Sequence, residues 1–162
     1  MEDSVTKNYF CGQIGYPHHL SVGAVVVRED GRICCHHFLD KNGFKDLYLL
    51  MRETLEPNET IEQALVRGLS EEFNIEAELS DFLGPIVSRF EGNGRRIEKT
   101  TLYFLCKYLK ERASHRNIDD AESDSIIEWL ESNDLMAKMK DQFKRYGRED
   151  TDESEIIARI LK

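Results

Sequence analysis

Residues 46–75 read DLYLLMRETLEPNETIEQALVRGLSEEFNI, and this stretch carries the clearest structural pattern in the chain. Its first part, residues 47–51, is short and apolar, which predicts a buried strand. The later apolar residues recur at helical spacing, at Ile61, Ala64, Leu65, Leu69 and Phe73. Thr60 followed by Gln63 is a capping-box pattern, and Asn74 tolerates the left-handed backbone that ends a helix. The stretch therefore predicts a strand, a loop and a helix that starts at Thr60 and ends at Asn74.

Further elements are predicted on both sides of this stretch. Apolar and β-branched runs predict strands at residues 20–27, 33–39, 86–90, 100–109 and 126–130. The dipeptide Asp30-Gly31 favours a tight hairpin turn between the first two strands. Helices are expected at residues 133–146 and 153–161, the second capped by Thr151 or Asp152. This order of elements predicts a mixed α/β fold.

The length and charge of the chain limit its function. With 162 residues we expect a single domain over residues 1–162, with a core at about 18–146 and a C-terminal helix at about 152–161. Asp and Glu number 31 against 22 Lys and Arg, for a net charge of −9. General nucleic-acid binding needs a basic surface, so it is not expected here. A nucleotide ligand stays open, because metal ions can neutralise a diphosphate locally.

We expect a cytoplasmic protein. No apolar run approaches the ~20 residues that a membrane span needs, and the polar N-terminus MEDSVTKNYF does not resemble a secretory signal. The four cysteines follow no disulfide-scaffold spacing and are expected to be reduced. The run Cys34-Cys35-His36-His37 is not expected to hold zinc, because successive residues of a strand point to opposite faces and cannot close a tetrahedron.

Acidic side chains are concentrated at the end of the predicted helix and in the loop before it. Glu71 and Glu72 are adjacent on the helix, and Glu53 lies in the preceding loop. Several carboxylates of this kind can hold a hard cation through oxygen ligands. The alternative is an acidic helix face that is simply solvated, and spacing alone does not distinguish the two.

The same stretch resembles the signature box of the Nudix hydrolase family, and it aligns to that box without a gap. The matching positions are Glu59, Arg67, Leu69, Glu71, Glu72 and Ile75. Glu53, Gly68 and Asn74 stand where the family has Gly, Glu and Gly. The resemblance implies a Nudix-type α/β/α sandwich with a mixed sheet. It also implies cleavage of a diphosphate linkage in a nucleoside diphosphate derivative, by water attack on phosphorus with Mg²⁺ or Mn²⁺.

The resemblance also implies roles for single residues. Glu71 and Glu72 would be metal ligands, and Arg67 and Glu59 would form the ion pair that orients the loop against the helix. The bound ions would neutralise developing charge and lower the pKa of the attacking water. Outside the box, the side chains of Arg95, Arg96 and Lys99 could meet the phosphates of a small nucleotide-like diphosphate, the expected partner. A solvated hairpin tip is the alternative for these three.

Gly68 is the serious departure from the family pattern, because glycine supplies no ligand and costs about 1 kcal/mol relative to alanine inside a helix. We hypothesise that Glu53 enters the site and partly restores the lost charge. Other carboxylates that could do so are Glu91, Glu98 and those of the acidic run 119–122. Two functions stay open: a hydrolase with an impaired or rebuilt site, and an inactive Nudix-fold protein that binds or regulates through a nucleotide. A homodimer through the C-terminal helix is also open, the alternative being that this helix caps its own core.

Overall fold

The computed structural model describes residues 18–92, 94–116, 119 and 122–162. In this part of the chain the strands are β1 His18–Val27, β2 Ile33–Lys41, β3 Phe44–Leu49, β4 Met51–Thr54, β5 Ile75–Gly92, β6 Arg95–Glu111 and β7 Ile126–Leu130. The α-helices are α1 Ile61–Gly68, α2 Ser132–Tyr146 and α3 Ser154–Arg159. Leu69–Phe73 continues α1 as a π-helical turn, and Glu149–Thr151 is a 3₁₀ turn before α3. None of these helices is long and apolar enough to cross a membrane.

The described strands form one mixed sheet. Its main path runs β3-β2-β1-β6-β5, while β4 pairs with β1 and β7 pairs with β2. The pairing of β1 with β6 is parallel, and the other described pairs are antiparallel. Parallel neighbours need a long crossover connection. Here the chain between β1 and β6 contains α1, which therefore packs against the sheet.

Each face of the sheet is covered by helix. On one face the core consists of α1 and π-turn residues packed on strand residues, including Cys34, Met51, Leu65, Leu69 and Phe73. On the other face α2 and α3 pack on the sheet, with a core that includes Tyr103, Leu135, Met139, Ile156 and Ile157. This arrangement confirms the predicted mixed α/β fold with helices on both sides of the sheet.

The start and stop of α1 follow the sequence closely. Gln63 N donates to Thr60 Oγ1 at 3.2 Å, and Thr60 N donates to Gln63 Oε1 at 2.8 Å, so both halves of the capping box are present. Asn74 ends the helical segment with φ 55°. The α-helix predicted up to Asn74 instead becomes a π-helical turn at Leu69. Such turns are rare in proteins, and those that occur often lie at functional sites. This one carries Glu71 and Glu72.

The strands after α1 are longer than predicted. β5 spans Ile75–Gly92 and β6 spans Arg95–Glu111, whereas the sequence pattern indicated strands only at 86–90 and 100–109. The pairing of β5 with β6 is interrupted by three register shifts. Each shift breaks the alternation of inward and outward side chains that identifies a strand. The first half of β5 therefore escaped prediction.

The C-terminal helix packs on the chain's own core. Ile156 and Ile157 of α3 are fully buried, while Leu161 beyond the helix is exposed. The residue before the helix is Glu153, not the predicted Thr151 or Asp152, and it makes no side-chain capping bond, whereas Asp152 Oδ1 accepts a hydrogen bond from Ser154 N at 2.9 Å. Most of the apolar face of α3 is thus already covered, and the homodimer stays a prediction.

Candidate functional site

Arg67, on the last turn of α1, is the centre of a cluster of carboxylates. Its Nε and Nη2 donate to the two oxygens of Glu59 at 2.8 and 2.9 Å. Nη2 also donates to the carbonyl oxygen of Thr54 at 2.9 Å. This hydrogen-bonded ion pair holds the pKa of Glu59 below its usual value. The bidentate contact fixes the loop after β4 against α1.

The remaining guanidinium nitrogen of Arg67, Nη1, faces three further carboxylates. Glu53 Oε1 lies 3.0 Å away, Glu71 Oε2 3.7 Å and Glu56 Oε1 3.9 Å. The Glu53 side chain is 18% exposed and that of Glu71 is 38% exposed, whereas that of Glu56 is 66% exposed. Glu53 and Glu71 are therefore neighbouring, partly buried carboxylates on one cation, and Glu56 stands at the rim.

The space beside Gly68 is already filled. Its backbone is ordinary α-helix, with φ −61° and ψ −43°. A Cβ added there would lie 2.6 Å from Met51 Sδ and 3.0 Å from Glu53 Cβ. Contacts this short require a neighbour to move. The side chains of Met51 and Glu53 thus occupy the position where a side chain of residue 68 would begin.

Glu72 is buried, and its side chain is 2% exposed. Its Oε2 lies 2.7 Å from His36 Nε2, and His36 Nδ1 lies 2.7 Å from Ser125 Oγ. Arg116 Nη2 donates to the same Ser125 hydroxyl at 3.0 Å. Burial, together with the charge of Arg116 and other cations, lowers the pKa of His36 to about 3. The imidazole is therefore neutral at pH 7, and with its hydrogen on Nε2 it donates to the Glu72 carboxylate.

The three predicted metal ligands do not form one preassembled cluster. Glu53 and Glu71 share Arg67 Nη1, and Glu72 is bonded to His36. Within the described residues, no three His, Cys, Asp or Glu side chains are grouped so as to hold a metal ion. A divalent cation at this site would therefore need ligands from its substrate or from water.

The predicted substrate residues lie in two places. Arg95 and Arg96 are exposed at the start of β6. Arg96 lines an open cleft of 510 Å³ together with Arg89, Phe90, Glu91, Ile97 and Glu98. Lys99 lies further along β6, where it pairs in register with His19 of β1. It is half-buried, and burial together with the nearby charge of Arg52 lowers its pKa to about 8.

Arg52, the residue before Glu53, belongs to a buried polar cluster on the other face of the sheet. Its Nε lies 3.6 Å from Glu153 Oε1, and its Nη1 donates to the carbonyl oxygen of Asp150 at 3.0 Å. Glu153 also accepts hydrogen bonds from the Tyr103 hydroxyl and, at 2.7 Å, from Leu50 N. Burial raises the pKa of Glu153. The cluster ties the segment before α3 to the strand that carries Glu53.

The other carboxylates considered from the sequence are engaged or lie elsewhere. Glu98 Oε2 accepts a hydrogen bond from Arg89 Nε at 2.9 Å, and Glu91 lines the open cleft. Within the acidic run, residues 120 and 121 lie outside the described part of the chain, as does Cys11. The other three cysteines are buried and free.

His36, Arg52 and Glu153 were not among the predicted site residues. His36 and Glu72 are 36 positions apart, and the Glu153–Leu50 bond spans 103 positions. No local spacing encodes contacts of this length. The one sequence signal for His36 is a histidine inside a predicted strand, which indicates no partner for its side chain.

Comparison with known proteins agrees with the fold. The family model described as NUDIX domain matches residues 17–150. MutT4 of Mycobacterium tuberculosis (strain CDC 1551 / Oshkosh) is 29% identical over 101 residues, which cover 62% of this chain and 39% of that relative. The solution structure of the E. coli ORF135 protein has TM-score 0.60 and 18% identity, covering 93% of this chain and 94% of that one. A NUDIX hydrolase from Nitrosomonas europaea has TM-score 0.59 and 16% identity, covering 80% and 90%.

Proposed function

The chain belongs to the Nudix family, whose members hydrolyse nucleoside diphosphate derivatives, and on that premise we propose that it cleaves a diphosphate linkage in such a ligand with Mg²⁺ or Mn²⁺. Water would attack one phosphorus and the bridging oxygen would leave with the other phosphate, and Glu53, Glu71 and Glu72 would hold the metal. Because the chain spans 39% of the length of its curated relative, this activity is inferred from the site and not from that protein.

The observation that carries the proposal is the exchange between residues 53 and 68. The family pattern has glycine at the first position and glutamate at the second, and this chain has the reverse. Glu53 Cβ borders the space where a residue-68 side chain would begin, and Glu53 Oε1 is 3.0 Å from Arg67 Nη1. The carboxylate missing at residue 68 is therefore supplied from β4. This supports a rebuilt site in preference to one that has only lost a ligand.

The donor chemistry fits a divalent cation that the ligand helps to bind. Mg²⁺ usually keeps several waters and takes one or two protein carboxylates plus substrate phosphates. Glu53 and Glu71, side by side on Arg67, fit that requirement. Glu72 is included as well, since an ionised carboxylate can accept bonds through both of its oxygens.

The protein's own residues bind and orient the reactants. The bound ion would neutralise the developing charge and lower the pKa of the attacking water. Arg67 holds Glu53 and Glu71 together and is itself fixed by Glu59. Arg95, Arg96 and Lys99 are the proposed contacts to the substrate phosphates.

The protein is proposed to be cytoplasmic. The cysteines that the structure describes are buried and free, which suits a reducing compartment.

Glu53→Gln tests the proposal, with Glu56→Gln as the matched control on the exposed rim of the same cluster. Phosphate or pyrophosphate release from a panel of nucleoside diphosphate derivatives is measured with Mg²⁺ or Mn²⁺, and Mn²⁺ affinity is measured separately. Loss of one charged ligand should weaken Mn²⁺ binding about tenfold or more and abolish turnover, whereas Glu56→Gln should change both less than about threefold. Unchanged Mn²⁺ affinity in Glu53→Gln would contradict the proposal that Glu53 replaces the missing metal ligand.

The second candidate is an inactive nucleotide-binding protein. It is favoured by the bond between Glu72 and buried His36, and by the lack of a three-ligand group within the described residues. This reading predicts that a nucleoside diphosphate binds but is not cleaved with either metal. Turnover that disappears in Glu53→Gln would exclude it.

A further inference from the structure

His36 lies between the carboxylate of Glu72 and a hydroxyl group, and all three side chains are buried. Glu72 Oε2 is 2.7 Å from His36 Nε2, and Ser125 Oγ is 2.7 Å from His36 Nδ1. Both ring nitrogens of the imidazole are therefore bonded inside the protein. A buried histidine with two short contacts of this kind has a fixed orientation, and so does the carboxylate that it contacts.

The hydrogen bonds of this chain of side chains all point towards Glu72. Arg116 is only a donor, and its Nη2 donates to Ser125 Oγ at 3.0 Å. The same Nη2 donates to the carbonyl oxygen of Glu122 at 2.6 Å. That oxygen, 2.8 Å from Ser125 Oγ, thus has a donor already, and the serine hydrogen can go to His36 Nδ1. A neutral imidazole has one donor and one acceptor nitrogen, so the pattern assigns the His36 hydrogen to Nε2, facing Glu72.

The ring of His36 is held in place from several sides. In the sheet, β2 pairs at His36 with Leu49 of β3 on one side and with Ile127 of β7 on the other. The rings of Phe38 and Phe73 pack against the imidazole, with centroid distances of 5.5 and 4.6 Å. Side chains locked by packing and hydrogen bonds can hold a functional group to within a fraction of an ångström. The N–H that faces Glu72 is therefore a fixed donor.

Glu72 starts beside the other carboxylates of the proposed metal site. It directly follows Glu71, and both belong to the π-helical turn. Gly68 lies four positions before Glu72, and residues four apart are neighbours on a helix. Glu53 Cβ is 3.0 Å from the place that a Cβ of residue 68 would take. The carboxylate that His36 orients thus begins at the helical turn that Glu53 borders.

Resting on the function proposed above, we propose that His36 is a positioning residue, which holds the Glu72 carboxylate in the orientation that the metal ion requires. Ser125 and Arg116 in turn hold His36, which itself contacts neither the ion nor the substrate. Metal-binding side chains are usually oriented by a hydrogen-bonded partner outside the coordination sphere, and loss of that partner typically costs about 10–100-fold in metal affinity or activity. If His36 instead withdrew Glu72 from the metal, its removal would strengthen metal binding.

The test is the binding of Mn²⁺ to the metal-free protein, measured by calorimetry without substrate at the site that Glu53→Gln weakens. His36→Leu should weaken Mn²⁺ binding about tenfold or more, because Glu72 loses the donor that orients it. His36→Gln keeps an amide N–H that can donate to Glu72, and it should stay within about threefold of the natural chain.

His37→Leu is the matched control. His37 is the next residue of β2 and points to the opposite face of the sheet. Its ring nitrogens lie 2.7 Å from Glu128 Oε1 and 3.1 Å from Asp46 Oδ1. This substitution therefore removes comparable contacts to carboxylates that are not proposed metal ligands. It should leave Mn²⁺ affinity as in the natural chain, even where it lowers stability.

Each outcome decides the inference. Unchanged or tighter Mn²⁺ binding in His36→Leu would overturn it, as would an equal loss in His37→Leu. Thermal unfolding shows which variants are folded. If His36→Leu is not, Ser125→Ala replaces it, since it removes only the hydroxyl that fixes the imidazole; Mn²⁺ binding should then weaken about threefold or more, and an unchanged affinity would overturn the inference.

The result is separable from that of the proposed function. Weaker Mn²⁺ binding in Glu53→Gln together with unchanged binding in His36→Leu would remove the role of His36 alone. No Mn²⁺ binding by the natural chain at millimolar concentration would overturn both proposals.

Discussion

The exchange between residues 53 and 68 makes a prediction that can be measured without any ligand. Gly68→Ala places a Cβ 2.6 Å from Met51 Sδ and 3.0 Å from Glu53 Cβ. Met51 is fully buried, so its side chain cannot move freely. The Cβ of Glu53 is attached to the backbone of β4, which is paired to β1. The new methyl group therefore has no easy way to be accommodated.

Two effects of opposite sign set the size of the change. Extra atoms in a packed core cost about 1–3 kcal/mol. Alanine is favoured over glycine inside a helix by about 1 kcal/mol, and the helical backbone of Gly68 allows that gain in full. We expect Gly68→Ala to lower the free energy of unfolding by about 1 kcal/mol. In a Glu53→Gly background the same substitution should cost about 1 kcal/mol less, because one of the two close contacts is gone.

The assay is a double-mutant cycle in urea, with Val66→Ala as a control at an exposed position of the same helix. Val66→Ala should change the free energy of unfolding by no more than about 0.5 kcal/mol in either background. Independent sites add within about 0.5 kcal/mol. If Gly68→Ala and Glu53→Gly are additive within that margin, the two positions do not share one space, and the argument for a relocated carboxylate fails.

Three further results are expected. Arg67→Lys should lower the free energy of unfolding by about 1–3 kcal/mol in urea, because lysine cannot make the bidentate contact to Glu59; a loss below about 0.5 kcal/mol would contradict this. His36→Leu should lower the free energy of unfolding by about 3 kcal/mol or more in the same assay, because it removes a hydrogen-bond partner of buried Glu72. A decrease under about 1 kcal/mol would show that the bond contributes little. Lys99→Met should be more stable than the natural chain below pH 8. That advantage should shrink by up to about 1.4 kcal/mol per pH unit between pH 8 and 10, because the native lysine loses its proton there while the unfolded one keeps it; a constant difference across that range would refute the lowered pKa.

Local patterns predicted the parts of the fold that depend on near neighbours. The capping box at Thr60 and the left-handed stop at Asn74 were visible because they involve contacts within a few residues. The long strand β5 was not, since its identity depends on pairing with β6 and its bulges break the two-residue period. Gly84 and Pro85 also lie inside it, and such residues argue against a strand unless it is at an edge, as β5 is.

The candidate site divides in the same way. The ion pair of Arg67 and Glu59, eight positions apart, was expected from the family pattern and is present. The π-helical turn at Leu69 was not expected, because no spacing rule separates it from a regular α-helix. His36 and Glu153 approach their partners only after the sheet has formed. Their roles in the site depend on how deeply they are buried, and burial cannot be read directly from the sequence.

The run Cys34-Cys35-His36-His37 has a consequence for how β2 finds its place. One cysteine and one histidine point to each face, and both histidines bond to acidic side chains: His36 to Glu72 and His37 to Glu128 and Asp46. A slip of one residue would therefore present the same two residue types to each layer. The residue types at these four positions therefore do not distinguish the correct strand register from one shifted by a residue. That discrimination belongs to the buried Ile33 and Phe38 at the two ends, which a slip would turn to the wrong layer.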